Sequence, residues 1–175
     1  MFIDLTQLER KPELQVDYQY PVGNPDLQDE SLTIKSPARV LMRLLRRGRE
    51  IDARGTVLVK VSVLCDRCLT PVVVEIDSSF NLIYLPLNNL SHTDEMVLER
   101  RELDFCFYSN DRLDLDELVR EQIQLSLPMT NLCRADCQGL CNQCGQDLNV
   151  SRCQCGGEYI DPRWQALLEM KKKSN

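Results

Sequence analysis

Cysteine is the residue type in this sequence whose number and spacing most clearly suggest chemistry. The chain has nine cysteines in 175 residues, with a Cys-x2-Cys pair upstream and a dense group near the end. Eight of them fall into these two groups: Cys65, Cys68, Cys133, Cys137, Cys141, Cys144, Cys153 and Cys155. Zinc takes four ligands in a tetrahedron, and thiolates at such spacings can supply them. We therefore predict that these eight side chains are the ligands of one or two structural zinc ions.

The expected compartment favours metal binding over disulfides. The stretch from Met1 to Arg10 contains Asp4 and Glu9 and lacks the apolar run of a signal peptide. No stretch reaches the roughly 20 apolar residues of a spanning helix. We therefore expect a cytoplasmic protein without a membrane segment, and thiols stay reduced in that compartment.

Spacing alone leaves two groupings of the ligands open. In one, the last four cysteines, from Cys141 to Cys155, share an ion, and the two before them join Cys65 and Cys68. In the other, the Cys65/Cys68 pair and the Cys141/Cys144 pair hold one ion together. The sequence does not choose between these groupings.

Other uses of the thiols compete with zinc. A buried cysteine often acts as a small apolar residue, which is our interpretation of Cys106 in a strand-like segment. The Cys65/Cys68 pair could be redox active, although such motifs usually lie at a helix N-terminus and this one joins strands. Thiolates also hold iron–sulfur clusters.

Candidate catalytic groups are sparse. The single histidine, His92, lies in a polar loop, and the sequence has no P-loop, dinucleotide fingerprint or nucleophile elbow. A zinc ion held by four thiolates has no open coordination position, so such a site is structural. We predict that the protein is not an enzyme and has no small-molecule substrate.

Hydrophobic patterning predicts a β-rich first part. Valines alternate with other residues within the segment from Ile51 to Leu64, which predicts a strand, and residues 72–84 form its partner. Cys65 and Cys68 then lie at the tip of a β-hairpin. Residues 38–47 fit either a strand or a helix. The segment from Asp114 to Leu127 predicts a helix capped by Asp114.

We predict an α+β fold, with an antiparallel β-sheet, a helix packed on it and a C-terminal cysteine-rich zinc-binding module. The predicted boundaries are residues 1–128 for the sheet domain and 129–160 for the zinc module. Residues 161–175 then form a short helix, beginning at Asp161, and a basic tail.

Charge is distributed unevenly. The net charge is −6, which excludes a non-specific coat for nucleic acid. Seven basic residues and two acids lie between Lys35 and Arg54, whereas ten acids and four arginines lie between Asp94 and Glu121. We therefore expect one basic and one acidic region.

An ordered set of motifs resembles the bacterial and plastid YceD family of large-ribosomal-RNA accumulation proteins. The motifs are Cys65-Asp66-Arg67-Cys68-Leu69 after a strand, LDLDELVRE at 113–121, Leu127-Pro128-Met129, CQGLCNQCGQDLN at 137–149, and Cys153-Gln154-Cys155. The resemblance covers residues 30 to 170. It implies a role in the accumulation of large-subunit ribosomal RNA, and so in ribosome biogenesis, without implying a reaction.

The partner that this resemblance implies is pre-ribosomal RNA or a ribosomal protein of the large subunit. We predict that Arg46, Arg47 and Arg49 contact RNA phosphates. The acidic region could instead hold a basic ribosomal protein. A thiol-redox protein and a zinc-ribbon regulator of transcription are the alternative functions.

Overall fold

The structure, a computed structural model, describes residues 1–27, 29, 32–87, 105–155 and 162–164. Its strands are β1 (Phe2–Asp4), β2 (Glu13–Tyr20), β3 (Leu32–Ile34), β4 (Ala38–Arg47), β5 (Glu50–Leu64), β6 (Pro71–Pro86), β7 (Phe105–Tyr108) and β8 (Arg112–Asp114). Its α-helices are α1 (Gln7–Arg10) and α2 (Leu115–Leu125), and short 3-10 helices cover Pro25–Leu27 and Pro162–Trp164. Among the described residues, none of these helices has the length and apolar character to cross a membrane.

Six strands form the main sheet. Its order is β2-β4-β5-β6-β7, and β3 pairs with β5 outside this path. The β2–β4, β4–β5 and β3–β5 pairs are antiparallel, as predicted. At the edge, however, β7 runs parallel to β6, with Ile83 opposite Phe105. Parallel neighbours require a long connection, and the chain between Pro86 and Phe105 is long enough to provide one.

Strand β4 settles the segment that fitted two structures. Val40, Met42 and Leu44 are buried, whereas Arg39 and Arg43 between them are exposed. This alternation has the period of a strand, so the apolar side chains point into the core and the arginines point to solvent. The strand interpretation of residues 38–47 is correct.

Helix α2 begins and packs as its sequence predicts. The side chain of Asp114 accepts hydrogen bonds from the backbone amides of Asp116 and Glu117, at 3.0 and 3.4 Å. Leu118, Val119 and Ile123 are fully or almost fully buried. The helix therefore covers the core with one apolar face, and its first turn is held by the predicted cap.

A buried polar contact ties this helix to β2. The hydroxyl of Tyr20 donates to Oδ1 of Asp116 at 2.6 Å, and the Met1 amino group pairs with Oδ2 of the same carboxylate. Burial raises the pKa of Tyr20, so its hydroxyl keeps the proton that it donates. A charge-assisted bond of this kind satisfies a carboxylate that would otherwise be destabilising in the core.

The chain divides into two compact units. The first, the sheet unit, contains Met1–Val63 and Pro71–Met129. The second, the cysteine unit, contains Leu64–Thr70 and Thr130–Asn175. The chain thus passes into the cysteine unit at the last residue of β5, contributes seven residues to it and returns to the sheet unit as β6.

Some predicted elements fall partly outside the described residues. The strand predicted before Tyr108 is seen as β7, and residues 97–104 lie outside that description. Of the helix predicted from Asp161, the structure describes the 3-10 turn Pro162–Trp164, in which Trp164 is 59% exposed.

Gly55 lies where two strands and an aromatic ring approach too closely for a larger residue. A Cβ atom there would be 2.4 Å from the carbonyl oxygen of Leu41 and 2.7 Å from the ring of Phe80. We expect Gly55→Val to lower the free energy of unfolding by at least about 1–3 kcal/mol, because backbone must move to relieve the overlap. Chemical denaturation would measure this, with Thr56→Val as control. Equal stability of the two variants would contradict the prediction.

Candidate metal centre

The eight predicted ligand cysteines form two groups of four within the cysteine unit. One group is Cys65, Cys68, Cys133 and Cys137, and the other is Cys141, Cys144, Cys153 and Cys155. Within each group all four sulfur atoms lie within 4.8 Å of one another. Of the two groupings that spacing left open, the structure shows the one in which the last four cysteines stay together. We call the two groups the first and the second cluster.

Sulfur distances in the first cluster match those of a tetrathiolate site. Sγ of Cys65 is 3.9 Å from Sγ of Cys137, and Sγ of Cys68 is 3.6 Å from Sγ of Cys133. Sulfurs bound about 2.3 Å from a central zinc in a tetrahedron are about 3.8 Å apart. The donor set and its spacing therefore fit a zinc ion.

The two clusters differ in exposure. Cys65, Cys68 and Cys137 are buried in the first cluster, whereas only Cys141 is buried in the second. Because exposed thiolates are more open to solvent and to chelators, the second cluster is the more accessible of the two.

Each cluster is built on the same backbone turn, which we call a knuckle. In the first knuckle, the amide of Cys65 donates to the carbonyl of Thr70, and the amide of Leu69 donates to the carbonyl of Cys65, both at 2.9 Å. In the second knuckle, the amide of Cys141 donates to Gln146 at 2.8 Å, and the amide of Gly145 donates to Cys141 at 2.9 Å. The two turns thus repeat each other bond for bond.

Both knuckles also require a positive φ after their second cysteine. Gly145 has φ +73°, which glycine adopts easily, whereas Leu69 in the equivalent place has φ 61°. A side chain other than glycine pays a steric penalty in this region, of about 1–2 kcal/mol. The first knuckle therefore contains a strained residue where the second does not.

We expect Leu69→Gly to stabilise the cysteine unit by up to about 1 kcal/mol. Glycine removes the steric penalty of the positive φ, and the larger backbone entropy that glycine loses on folding offsets only part of this gain. Leu69 is 56% exposed, so little packing is lost. Resistance of the purified protein to a chelator would report the effect. Leu64→Gly, at an exposed leucine in β5, is the control and should destabilise; an equal response of both variants would contradict the prediction.

The first cysteine of each knuckle is poised as a thiolate. Hydrogen bonds from the backbone amides of Cys68, Arg67 and Cys133 lower the pKa of Cys65 to about 6. Bonds from the amides of Cys144 and Gln143 lower the pKa of Cys141 to about 6 in the same way. At neutral pH these two sulfurs are already in the form that binds metal.

Their neighbours keep their protons when no metal is bound. A hydrogen bond with the sulfur of Cys68 raises the pKa of Cys133 to about 12, and one with Cys144 raises the pKa of Cys155 to about 12. Crowded thiolates repel one another, so some of the four sulfurs in each cluster stay protonated. A divalent cation removes this repulsion.

Two predicted roles concern residues outside the clusters. Cys106 lies on β7, partly buried against the core of the sheet unit, consistent with its interpretation as an apolar residue. His92 lies outside the described residues.

The arginines predicted to bind RNA are engaged in the sheet unit. Arg46 lies 3.5 Å from a carboxylate oxygen of Glu9, and Arg47 lies 3.2 Å from one of Asp52. Arg49 also has a polar or electrostatic contact. Such surface pairs are weak, so an RNA phosphate can compete for the guanidinium groups. Their role in RNA binding stays a prediction.

An acidic cleft lies in the sheet unit, with a volume of about 520 Å³. Its lining includes Glu117 and Glu121 of α2 and the half-exposed ring of Phe107. Burial, followed by the charge of Glu117, raises the pKa of Glu121. The cleft combines carboxylates with aromatic surface, which suits a cationic segment of a protein.

Sequence reasoning missed the polar residues that support the first cluster. Arg67 donates from Nη1 to the carbonyl of Cys137 at 2.8 Å, and Asn149 donates from Nδ2 to Sγ of Cys137 at 3.4 Å. Gly139 has φ +74°, and a Cβ there would be 3.1 Å from the carbonyl oxygen of Arg67. The Gly139 position between two cysteines was a signal for such a turn, whereas nothing in the sequence indicated that Asn149 reaches Cys137.

These features define a mixed β-sheet protein that carries a module with two four-cysteine clusters. The model of the YceD family, described as large ribosomal RNA subunit accumulation protein YceD, matches residues 53–171. The chain belongs to this family.

Several curated proteins are similar to the chain. An uncharacterized protein of Mycobacterium bovis is 30% identical over 97% of this chain and 81% of its own length. The uncharacterized protein YlbN of Bacillus subtilis is 24% identical over 97% of this chain and 95% of its own. The large ribosomal RNA subunit accumulation protein YCED homolog 1, chloroplastic, of Arabidopsis thaliana is 23% identical over 79% of this chain and 50% of its own. No solved structure matches the chain.

Proposed function

We propose that the protein is a non-enzymatic factor that supports the accumulation of large-subunit ribosomal RNA and holds two structural zinc ions. The observation that carries this proposal is the grouping of eight cysteines into two sets of four close sulfurs, in a chain of the YceD family. The first ion would be held by Cys65, Cys68, Cys133 and Cys137, and the second by Cys141, Cys144, Cys153 and Cys155. In each, four thiolates fill the coordination sphere, so the ions would stabilise the cysteine unit and activate no water.

The sulfur geometry favours zinc over a redox dithiol. A redox Cys-x2-Cys pair needs two thiols, whereas each knuckle here has two further sulfurs within 4.8 Å. The low pKa of Cys65 suits either role, because thiolates are both nucleophiles and metal ligands. Zinc content and thiol alkylation distinguish the two roles. For structural zinc, we expect two zinc ions per chain and alkylation of Cys106 alone. Metal-free protein with an alkylatable Cys65/Cys68 pair would support the redox alternative.

Two partners suit the sheet unit, and each has its own surface. The basic stretch with Arg46, Arg47 and Arg49 would contact ribosomal RNA, with an affinity that falls as salt rises. The acidic cleft at Glu117 and Glu121 would instead hold a basic ribosomal protein of the large subunit. Replacing the charged side chains of one surface at a time, and measuring which partner is then no longer bound, distinguishes RNA from a ribosomal protein.

A complementation experiment tests the role in the cell. In a bacterium that lacks its own family member, the chain is expected to restore the ratio of large- to small-subunit ribosomal RNA. A variant with Cys137→Ala and Cys141→Ala is expected to fail, and Cys106→Ala to succeed. Crosslinking would then identify the partner. A crosslink to ribosomal RNA should be lost when Arg46, Arg47 and Arg49 are replaced, whereas a crosslink to a ribosomal protein should be lost when Glu117 and Glu121 are replaced. Restoration by the double cysteine variant would contradict a role for metal.

A further inference from the structure

Asn149 stands between the two clusters. It lies in the turn that follows the second knuckle and precedes Cys153, so it belongs to the loop that the second cluster closes. The turn is held by Asp147, whose Oδ1 accepts from the backbone amide of Asn149 at 2.9 Å and whose carbonyl accepts from Val150 at 3.2 Å. The position of Asn149 therefore depends on the folding of the second cluster's loop.

The side chain of Asn149 reaches the first cluster. Its Nδ2 donates to Sγ of Cys137 at 3.4 Å and to Oδ1 of Asp147 at 2.7 Å. Its Oδ1 accepts from the backbone amide of Gln138 and from Nη2 of Arg134, both at 2.8 Å. An asparagine amide has two donor hydrogens and two acceptor lone pairs, and all four are used here. No rotated placement of this amide would satisfy the same partners, so its orientation is fixed.

Backbone contacts reinforce the same connection. The amide of Leu148 donates to the carbonyl of Gly139 at 2.9 Å, and Leu140 forms an antiparallel bridge with Asp147. Residues 137–141 begin at a ligand of the first cluster and end at a ligand of the second. Ordering of the second cluster's loop thus fixes the segment that presents Cys137.

We propose that Asn149 couples the two metal sites, so that an ion bound at one cluster raises the affinity of the other cluster for its ion. This inference rests on the proposed metal binding. The coupling follows from a shared element: a bound ion at either cluster orders the 137–141 segment and the Asn149 turn, and the other cluster then needs less ordering to bind. Outer hydrogen bonds to metal ligands typically change metal affinity by about 10–100-fold, and we expect a coupling factor in that range.

Native mass spectrometry of the full chain with one equivalent of zinc tests the coupling. In the wild type we expect chains with no ion and with two ions to dominate, and chains with one ion to be scarce. In Asn149→Asp, which keeps the acceptor oxygen but loses the donor hydrogens, chains with one ion should dominate. Asn81→Asp is the matched control, since it makes the same change at an exposed position of β6 in the sheet unit, and it should behave as the wild type.

The outcomes separate the two proposals. No zinc on any variant would overturn the proposed metal binding itself. The coupling alone would be overturned if the wild type binds two ions at excess zinc but, at one equivalent of zinc, half or more of its chains carry a single ion. Cooperative filling that Asn149→Asp leaves unchanged would overturn the assignment to Asn149.

Discussion

Removal of metal with a strong chelator is expected to unfold the cysteine unit and to leave the sheet unit folded. The apolar core consists of residues of the sheet unit, including Leu5, Leu44, Val57 and Ile123. Among described residues of the cysteine unit, the buried side chains that can pack are cysteines: Cys65, Cys68, Cys137 and Cys141. Structural zinc contributes about 10–16 kcal/mol of folding free energy in small domains, far more than this unit can obtain from packing.

Hydrogen exchange with and without chelator would measure this effect residue by residue. We expect amides of 131–150 to lose protection, among them Leu140 and Leu148, while amides of β4 and β5 keep theirs. Readdition of zinc should restore protection. The Cys106→Ser variant should respond as the wild type, because Cys106 lies in the sheet unit. Persistent protection of Leu140 and Leu148 without metal would show that the cysteine unit is stable without ions.

Acidification from pH 7 to pH 5 is expected to release both ions. Cys65 and Cys141 have pKa values of about 6, lowered from an ordinary 9.0. A lowered pKa in the folded state contributes stability that is complete above pH 9 and is lost as the pH falls through 6. Cys133 and Cys155 already carry protons at neutral pH, since their pKa values are about 12. Below pH 6 an ion must therefore also displace the protons of Cys65 or Cys141, so its affinity falls more steeply with each pH unit than it does near neutral pH.

Equilibrium dialysis of the protein against a metal buffer between pH 8 and pH 4 would measure this release. The slope should steepen below pH 6, where Cys65 and Cys141 gain protons. Circular dichroism of the sheet should stay constant to pH 5, which separates metal release from general acid unfolding. Full retention of zinc at pH 4 would contradict the ligand assignment.

The sequence predicted elements whose signal is local. The valines of β5 and the capped, amphipathic α2 carry their periodicity within one segment, and both are confirmed. The parallel pairing of β7 with β6 was missed, because register between distant strands leaves no local pattern. Residues 38–47 fitted either a strand or a helix, and only their pairing with the neighbouring strands β2 and β5 decides for the strand.

The candidate site shows the same division. Residue type and spacing identified all eight clustered cysteines, but not their grouping, since the first cluster joins positions 65 residues apart in the chain. The fourfold bonding of Asn149 depends on a turn whose geometry follows from the cysteines around it. Such supporting contacts are tertiary, so no motif signals them.

The cysteine unit is discontinuous in the chain, and this discontinuity sets a sequence of events during synthesis. Cys65 and Cys68 leave the ribosome well before Cys133 and Cys137, and at about 5–20 residues per second the delay is roughly 3–13 s. During that interval the first knuckle is an exposed dithiol on a nascent chain. The second cluster, whose ligands lie within 15 residues of one another, can close almost at once when its segment emerges. A newly made molecule therefore completes its first cluster only after the whole sheet unit has been synthesised, so a filled first cluster marks a finished sheet unit.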